Sequence, residues 1–294
     1  MDFLATIPYP NIDPVLFELP ALSLFNFTIG PFPLRWYALS YMIGIAAGYF
    51  YALNLTKQPR LFGGKPSSVT GAVMEDYLAW VILFGILGGR LGYVLFYNLP
   101  FYSENPLNAL MIWQGGMSFH GGIIGIVLSL IAYGMVTKRD LWRICDIMAC
   151  AAGIPIVCVR IANFINGELV GRVTDVPWAM IFPNGGPEPR HPSQLYQAAM
   201  EGLLTFLLLR IASHRFGLLE RRGAMTGLFL IFYGIFRMVG ELFRQPDAQI
   251  GFLFFGLTMG MLLSLPLILF GLLFLRFGPH WPKPPHSSAG PVSA

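Results

Sequence analysis

Seven apolar stretches, each about long enough to cross a bilayer, leave this chain few folds to choose from. A bilayer core takes ~20 apolar residues per helix. Runs of that size fall at about 34–55, 76–97, 115–135, 144–165, 193–213, 224–243 and 254–277. Water is absent from hydrocarbon, so every backbone N–H and C=O in such a run must be paired within the segment, which makes it a helix. The expected fold is an all-α integral membrane protein with seven transmembrane helices. Composition agrees, because 12% of the 294 residues are charged, about half the ~25% usual in soluble domains.

The segments outside the spans read differently. Residues 1–33 are apolar but broken by Pro8, Pro10, Pro14, Pro20, Pro31 and Pro33, so no spanning helix fits there and a surface arm is expected. Residues 166–192 form a Pro/Gly-rich excursion between spans four and five, a small head. The tail 278–294, containing K-P-P-H-S-S-A-G-P, reads as disordered. The start M-D-F-L-A-T is acidic rather than basic and lacks a small-residue cleavage site, so no cleaved signal peptide is expected.

Basic residues give the orientation. Loops one, three and five each carry three Lys or Arg (Lys57, Arg60 and Lys65; Lys138, Arg139 and Arg143; Arg215, Arg221 and Arg222), whereas loop two carries none. The head has Arg172 and Arg190, and loop six has Arg244. The positive-inside rule makes the odd loops cytoplasmic, which puts the N-terminus and head outside and the C-terminus inside. On that topology Arg90, His120, Arg160 and Arg237, from four different spans, all reach the outer half of the membrane. The net charge of +4 is spread over these loops with no dense basic patch beside aromatics, which excludes a nucleic-acid partner.

Ionisable residues at membrane depth are costly and usually face a protein interior with a function. The run Arg160 to Arg172, R-I-A-N-F-I-N-G-E-L-V-G-R, is the densest case. Arg160 alone reads equally well as a residue snorkelling to the interface. With Asn163 at i,i+3, and Asn166 and Glu168 just beyond, a polar site is the better reading, and a guanidinium fork suits phosphate. Arg237 and Glu241 are spaced i,i+4, with Arg244 one turn on; a structural ion pair is the competing reading. Arg90, in G-G-R-L-G-Y, reads as structural or gating, or as a further contact to substrate. His120 is the one histidine inside a span and the natural proton acceptor near neutral pH. Tyr37 fits an aromatic belt, and His191 the entry to span five.

Other chemistry is missing. No Walker or Rossmann glycine pattern, H-E-x-x-H helix or G-x-S-x-G elbow occurs, so neither metal nor cofactor is expected. Cys145, Cys150 and Cys158, at spacings of 5 and 8, match no metal or redox pattern and read as packing residues. What remains is cations, an imidazole and amides facing lipid headgroups, and an anionic phospholipid fits them.

At this point the segments R-W-Y (35–37), G-G-R-L-G-Y-V-L-F-Y-N (88–98), G-G-M-S-F-H-G-G (115–122), R-I-A-N-F-I-N-G-E (160–168), R-H-P-S-Q-L-Y (190–196) and F-R-Q-P-D-A-Q (243–249) resemble the bacterial phosphatidylglycerol:prolipoprotein diacylglyceryl transferases. The resemblance covers nearly the whole chain, in order. It implies a seven-span enzyme of the bacterial inner membrane, with periplasmic arm and head. Such an enzyme moves the diacylglyceryl group of phosphatidylglycerol onto the lipobox cysteine of a prolipoprotein, the first step of lipoprotein maturation. It further implies that Arg160 binds phosphatidylglycerol, that Arg237 is a second essential arginine and that His120 is the base. Tyr37, Asn163, Glu168, Gly171 and Glu241 match other functional positions, and Asn166, Arg244 and Arg90 are grouped with them as substrate contacts.

The sequence departs from the family pattern at Val159, Ala162, Val170 and Gln197. Gln197 stands where a glutamate usually follows H-P-S-Q-L-Y, which argues against an obligatory carboxylate there. Two other classes compete with the enzyme. A lipid or anion transporter often shows inverted repeats and helices broken near the midplane, whereas this sequence has no convincing internal repeat and its charges sit toward one face rather than the centre. A lipid-binding scaffold would have no use for an imidazole beside the arginines.

Overall fold

The computed structural model describes residues 7–24, 27–29, 31–112, 115–246 and 251–278. The expected disordered tail lies outside the described residues from 279 onward, as does the run 247–250 of F-R-Q-P-D-A-Q.

Among the described residues, seven helices are long and apolar enough to cross a membrane. These are α1 (Trp36–Thr56), α2 (Gly71–Phe96), α4 (Phe119–Thr137), α5 (Leu141–Ile165), the continuous segment Ser193–His214, α8 (Ala224–Glu241) and α9 (Met259–Phe277). The protein is a multi-pass membrane protein, mostly helical as its apolar pattern dictates. A short α3 (Leu99–Glu104) follows α2. The Ser193–His214 segment has three parts: α6 (Ser193–Gln197), a π-helical stretch (Ala198–Leu204) and α7 (Thr205–His214).

Helix starts follow local chemistry. Side-chain oxygens of Thr70, Ser118 and Thr258 accept from the N–H groups of Val73, Gly121 and Met261, satisfying donors that a helix end otherwise leaves open. The N-terminus of α8 is held from another helix. Fully buried Asp146 of α5 accepts from Gly223 N, Thr226 N and the Thr226 hydroxyl at 2.8, 2.9 and 2.9 Å. A carboxylate at a helix N-terminus is favoured by the dipole as well as by its hydrogen bonds.

The proline-broken arm contains strands that its sequence did not announce. β1 (Val15–Leu19) pairs antiparallel with β4 (Phe32–Arg35), and β2 (Leu22–Leu24) pairs with β3 (Phe27–Ile29). Among the described residues each sheet has two strands, so both strands of each are edges, where a proline's missing N–H costs no ladder bond. The all-α, seven-span expectation holds, and these short strands lie in the arm outside the spans.

The chain divides into two compact units. One contains residues 66–144 and is built on α2 against α4. A Cβ placed on Gly88 would lie 2.4 Å from Gly121 O, so these two backbones touch only because neither carries a side chain there. The other contains residues 1–65 and 145–280, with the arm, α1, most of α5, the head and α6 to α9. Arg90 and His120 belong to the former, and Arg160 and Arg237 to the latter.

Candidate active site

The C-terminal end of α5 carries Arg160 and Asn163 on one face, and the chain leaves the helix at Gly167, whose φ of 64° is a helix-ending left-handed turn. The turn is fastened from several directions. Asn163 and Asn166 donate to Glu168 Oε1 at 2.8 and 3.4 Å. Buried Gln194 and Ser193, at the start of α6, donate to the carbonyls of Glu168 and Leu169 at 2.6 and 2.8 Å. Tyr9 of the arm places its hydroxyl on the carbonyls of Phe164 and Ile165 at 2.6 and 2.9 Å, while its ring packs on Phe164 and Phe182. Burial raises the Tyr9 pKa, which keeps that hydroxyl a donor.

Gly171 lies where the head returns to α6. A Cβ there would be 2.3 Å from His191 O and 2.6 Å from His191 Cβ, so only glycine fits. Its N–H donates to His191 O at 3.1 Å and its carbonyl accepts from Arg190. The His191 ring rests against Tyr196 and Phe243, and burial lowers its pKa. Arg172 ties the head to the C-terminal end of α8, donating to the carbonyls of Glu241 and Arg244, both at 3.1 Å. A guanidinium at that end also complements the helix dipole.

The charged residues form a chain across three helical segments. Arg160 donates from Nε and Nη2 to Glu201 Oε2 at 3.2 and 2.7 Å. Arg237 of α8 reaches the other oxygen of that carboxylate from Nη1 at 3.4 Å, and Glu241 Oε1 from Nη2 at 2.8 Å. Arg244 joins at Glu241 Oε1, 3.2 Å away, and the Thr258 hydroxyl donates to Glu241 Oε2 at 2.6 Å. Glu201 is fully buried, whereas the Arg160 and Arg237 side chains each keep 14% of their surface exposed. Among the described residues, three guanidiniums stand against two carboxylates in this chain, so it gathers cationic groups at a place where burying any one of them alone would be costly. Such a cluster attracts an anion. Tyr233 lies within interaction range of Arg160, Arg237 and Glu201, and Tyr41 within range of Arg160 and Glu168. Tyr37 sits one turn before Tyr41, their rings 5.3 Å apart.

The profile of the prolipoprotein diacylglyceryl transferase family matches residues 24–277. The chain belongs to that family. Relatives named phosphatidylglycerol–prolipoprotein diacylglyceryl transferase resemble it over nearly their full length. That of Paramagnetospirillum magneticum is 47% identical over 272 residues, covering 92% of this chain and 95% of the relative. That of Bradyrhizobium diazoefficiens is 49% identical over 264 residues, covering 89% and 93%, and that of Methylocella silvestris is 51% identical over 271 residues, covering 92% and 95%.

Within this family member the geometry divides the candidates singled out from sequence. Arg160, Arg237, Glu241 and Arg244 meet in one ionic chain, and Tyr37, Asn163, Asn166 and Glu168 lie along its α1 and α5 sides. Gly171 acts through close backbone approach. His120 is an exposed residue in the first turn of α4. Buried Arg90 directs its guanidinium to the backbone carbonyls of Asn108, Ala109, Met111, Gly115 and Gly116, with Tyr102 beneath it at 5.2 Å. Sequence reasoning passed over Glu201, Thr258 and Asp146. Glu201 had a signal: it is an acidic residue inside an apolar span, the same criterion that drew attention to Arg160.

Proposed function

We propose that this protein transfers the sn-1,2-diacylglyceryl group of phosphatidylglycerol to the lipobox cysteine thiol of a prolipoprotein, forming a thioether and releasing glycerol 1-phosphate. Family membership supports the activity. The observation that supports the site assignment is that Arg160 and Arg237, from different helices, share one buried carboxylate while keeping part of their side chains exposed. The positive-inside pattern supports an inner-membrane location with arm and head periplasmic and the C-terminus cytoplasmic.

The chemistry follows from charge. A free cysteine has a pKa of ~8.5 and attacks as thiolate. Its sulfur bonds to the glycerol carbon that carries the phosphate, the carbon–oxygen bond breaks, and the electron pair leaves with glycerol phosphate. Negative charge grows on that leaving group. Guanidiniums already in place stabilise it more than they stabilise the bound lipid, which is what lowers a barrier. The thiol proton passes to His120 or, since two guanidiniums lower a neighbouring thiol's pKa, is lost with less help.

Phosphatidylglycerol bearing labelled acyl chains, incubated with the protein in membranes and a peptide spanning a signal sequence and lipobox, tests the reading. Thioether-linked lipid on the cysteine with free glycerol phosphate is the expected result. Lipid bound or moved without either product would assign the arginines to transport or scaffolding.

A further inference from the structure

The carboxylate that joins the two arginines has no counterpart in the motifs that drew attention to them. Glu201 sits in the π-helical stretch Ala198–Leu204, between α6 and α7. A π-turn shifts side-chain directions relative to an α-helix and occurs often at functional sites. Here it forms part of a wedge between two helices. On one side Gly202 presses against α5, where an added Cβ would lie 2.9 Å from Val157 N. On the other, Gly240 of α8 faces the wedge, and a Cβ there would lie 3.2 Å from Gln197 Cγ and 3.4 Å from Glu201 Oε1. The wedge delivers one carboxylate to both guanidiniums, Oε2 to Arg160 and Oε1 to Arg237.

We propose that Glu201 is a positioning residue of the transfer reaction, a fully buried carboxylate that braces Arg160 and Arg237 against each other. The inference rests on the proposed transferase activity. Two guanidiniums brought together in a low-dielectric site repel. A carboxylate between them cancels that repulsion and fixes each fork by charge-assisted hydrogen bonds. It occupies Nε and Nη2 of Arg160 from the buried side, while both arginines retain exposed surface. Gln197, one turn earlier, is also fully buried, but its amide atoms make no hydrogen bond, so of these two buried polar side chains Glu201 does the bracing.

Bracing makes a prediction that a merely structural residue does not. Glu201→Gln removes a negative charge beside the place where the lipid phosphate binds, so ground-state attraction increases. The same change releases the arginines from their common geometry, so stabilisation of the leaving group falls. The expected result, with phosphatidylglycerol and a lipobox peptide, is a kcat lowered at least tenfold together with a lipid KM lowered severalfold. A folding defect alone would lower kcat by reducing the active fraction and leave KM unchanged. That outcome, or a kcat within twofold of the parent, overturns the proposal. If Glu201→Gln fails to fold, Glu201→Asp keeps the charge on a side chain too short to reach both guanidiniums. Its kcat is expected to fall about tenfold, and parental kinetics would overturn the proposal. A parent protein that makes no thioether would instead sink the functional reading, and this inference with it.

Discussion

Arg90 separates two roles that its sequence left open, and Arg90→Lys distinguishes them because it keeps the charge. The arginine makes five hydrogen bonds to backbone carbonyls between Asn108 and Gly116. Lysine has three donors on one atom, so at least two of those carbonyls lose their partner. A hydrogen bond from a charged donor contributes ~1.5–3 kcal/mol, so the loss is about 3 kcal/mol at the lower end. Spent on local opening, that speeds amide exchange about 100-fold. Hydrogen–deuterium exchange on peptides covering residues 98–116 reads this directly, and the lipid KM of the same preparation is expected to stay near the parent's. Unchanged protection of 98–116 with a raised KM would refute the reasoning and place Arg90 on the substrate.

Gly171→Ala is expected to lower the thermal midpoint and the activity together, because a Cβ 2.3 Å from His191 O forces the head away from α6; overpacking of this kind costs ~1–3 kcal/mol, and an unaltered midpoint would contradict it. Burial holds the His191 pKa below its usual 6.5, so the unfolded chain takes up that proton first. Stability is therefore present above pH ~6.5 and falls as the pH drops through the lowered folded value. Thermal midpoints between pH 7.5 and 5.5 are expected to decline less steeply for His191→Gln than for the parent. Arg160→Ala is expected to abolish product formation, whereas His120→Gln leaves residual turnover, since arginines lower the substrate thiol's pKa without a dedicated base. Product from Arg160→Ala and none from His120→Gln would reverse the ranking.

Much of the site was legible because charge in an apolar run is expensive wherever it occurs. Arg160, Arg237 and Glu241 stand out on that ground alone, and helical spacing gives their faces and adds Asn163 at i,i+3 from Arg160. Two things escaped the same reasoning. Glu201 meets the same criterion and went unremarked, and nothing local says that a π-turn aims it at both arginines. Arg90 read as structural or gating as well as a substrate contact, and the sequence left the choice open because the carbonyls it holds are 18 to 26 residues away. The arm's strands were hidden by prolines, which exclude a helix without announcing a two-stranded sheet.

By itself the sequence determined the seven spans, since twenty apolar residues in lipid have one way to pair their backbone. It placed costly charges on particular helix faces, and its basic loops give an orientation only as an expectation. Only the tertiary structure decided which charges meet. Arg160 and Arg237 are 77 positions apart and share a carboxylate from a third segment. Helix propensity and hydropathy act within a segment, whereas that meeting depends on how closely separate backbones approach, which glycines such as Gly202 and Gly240 permit only once their neighbours are in place.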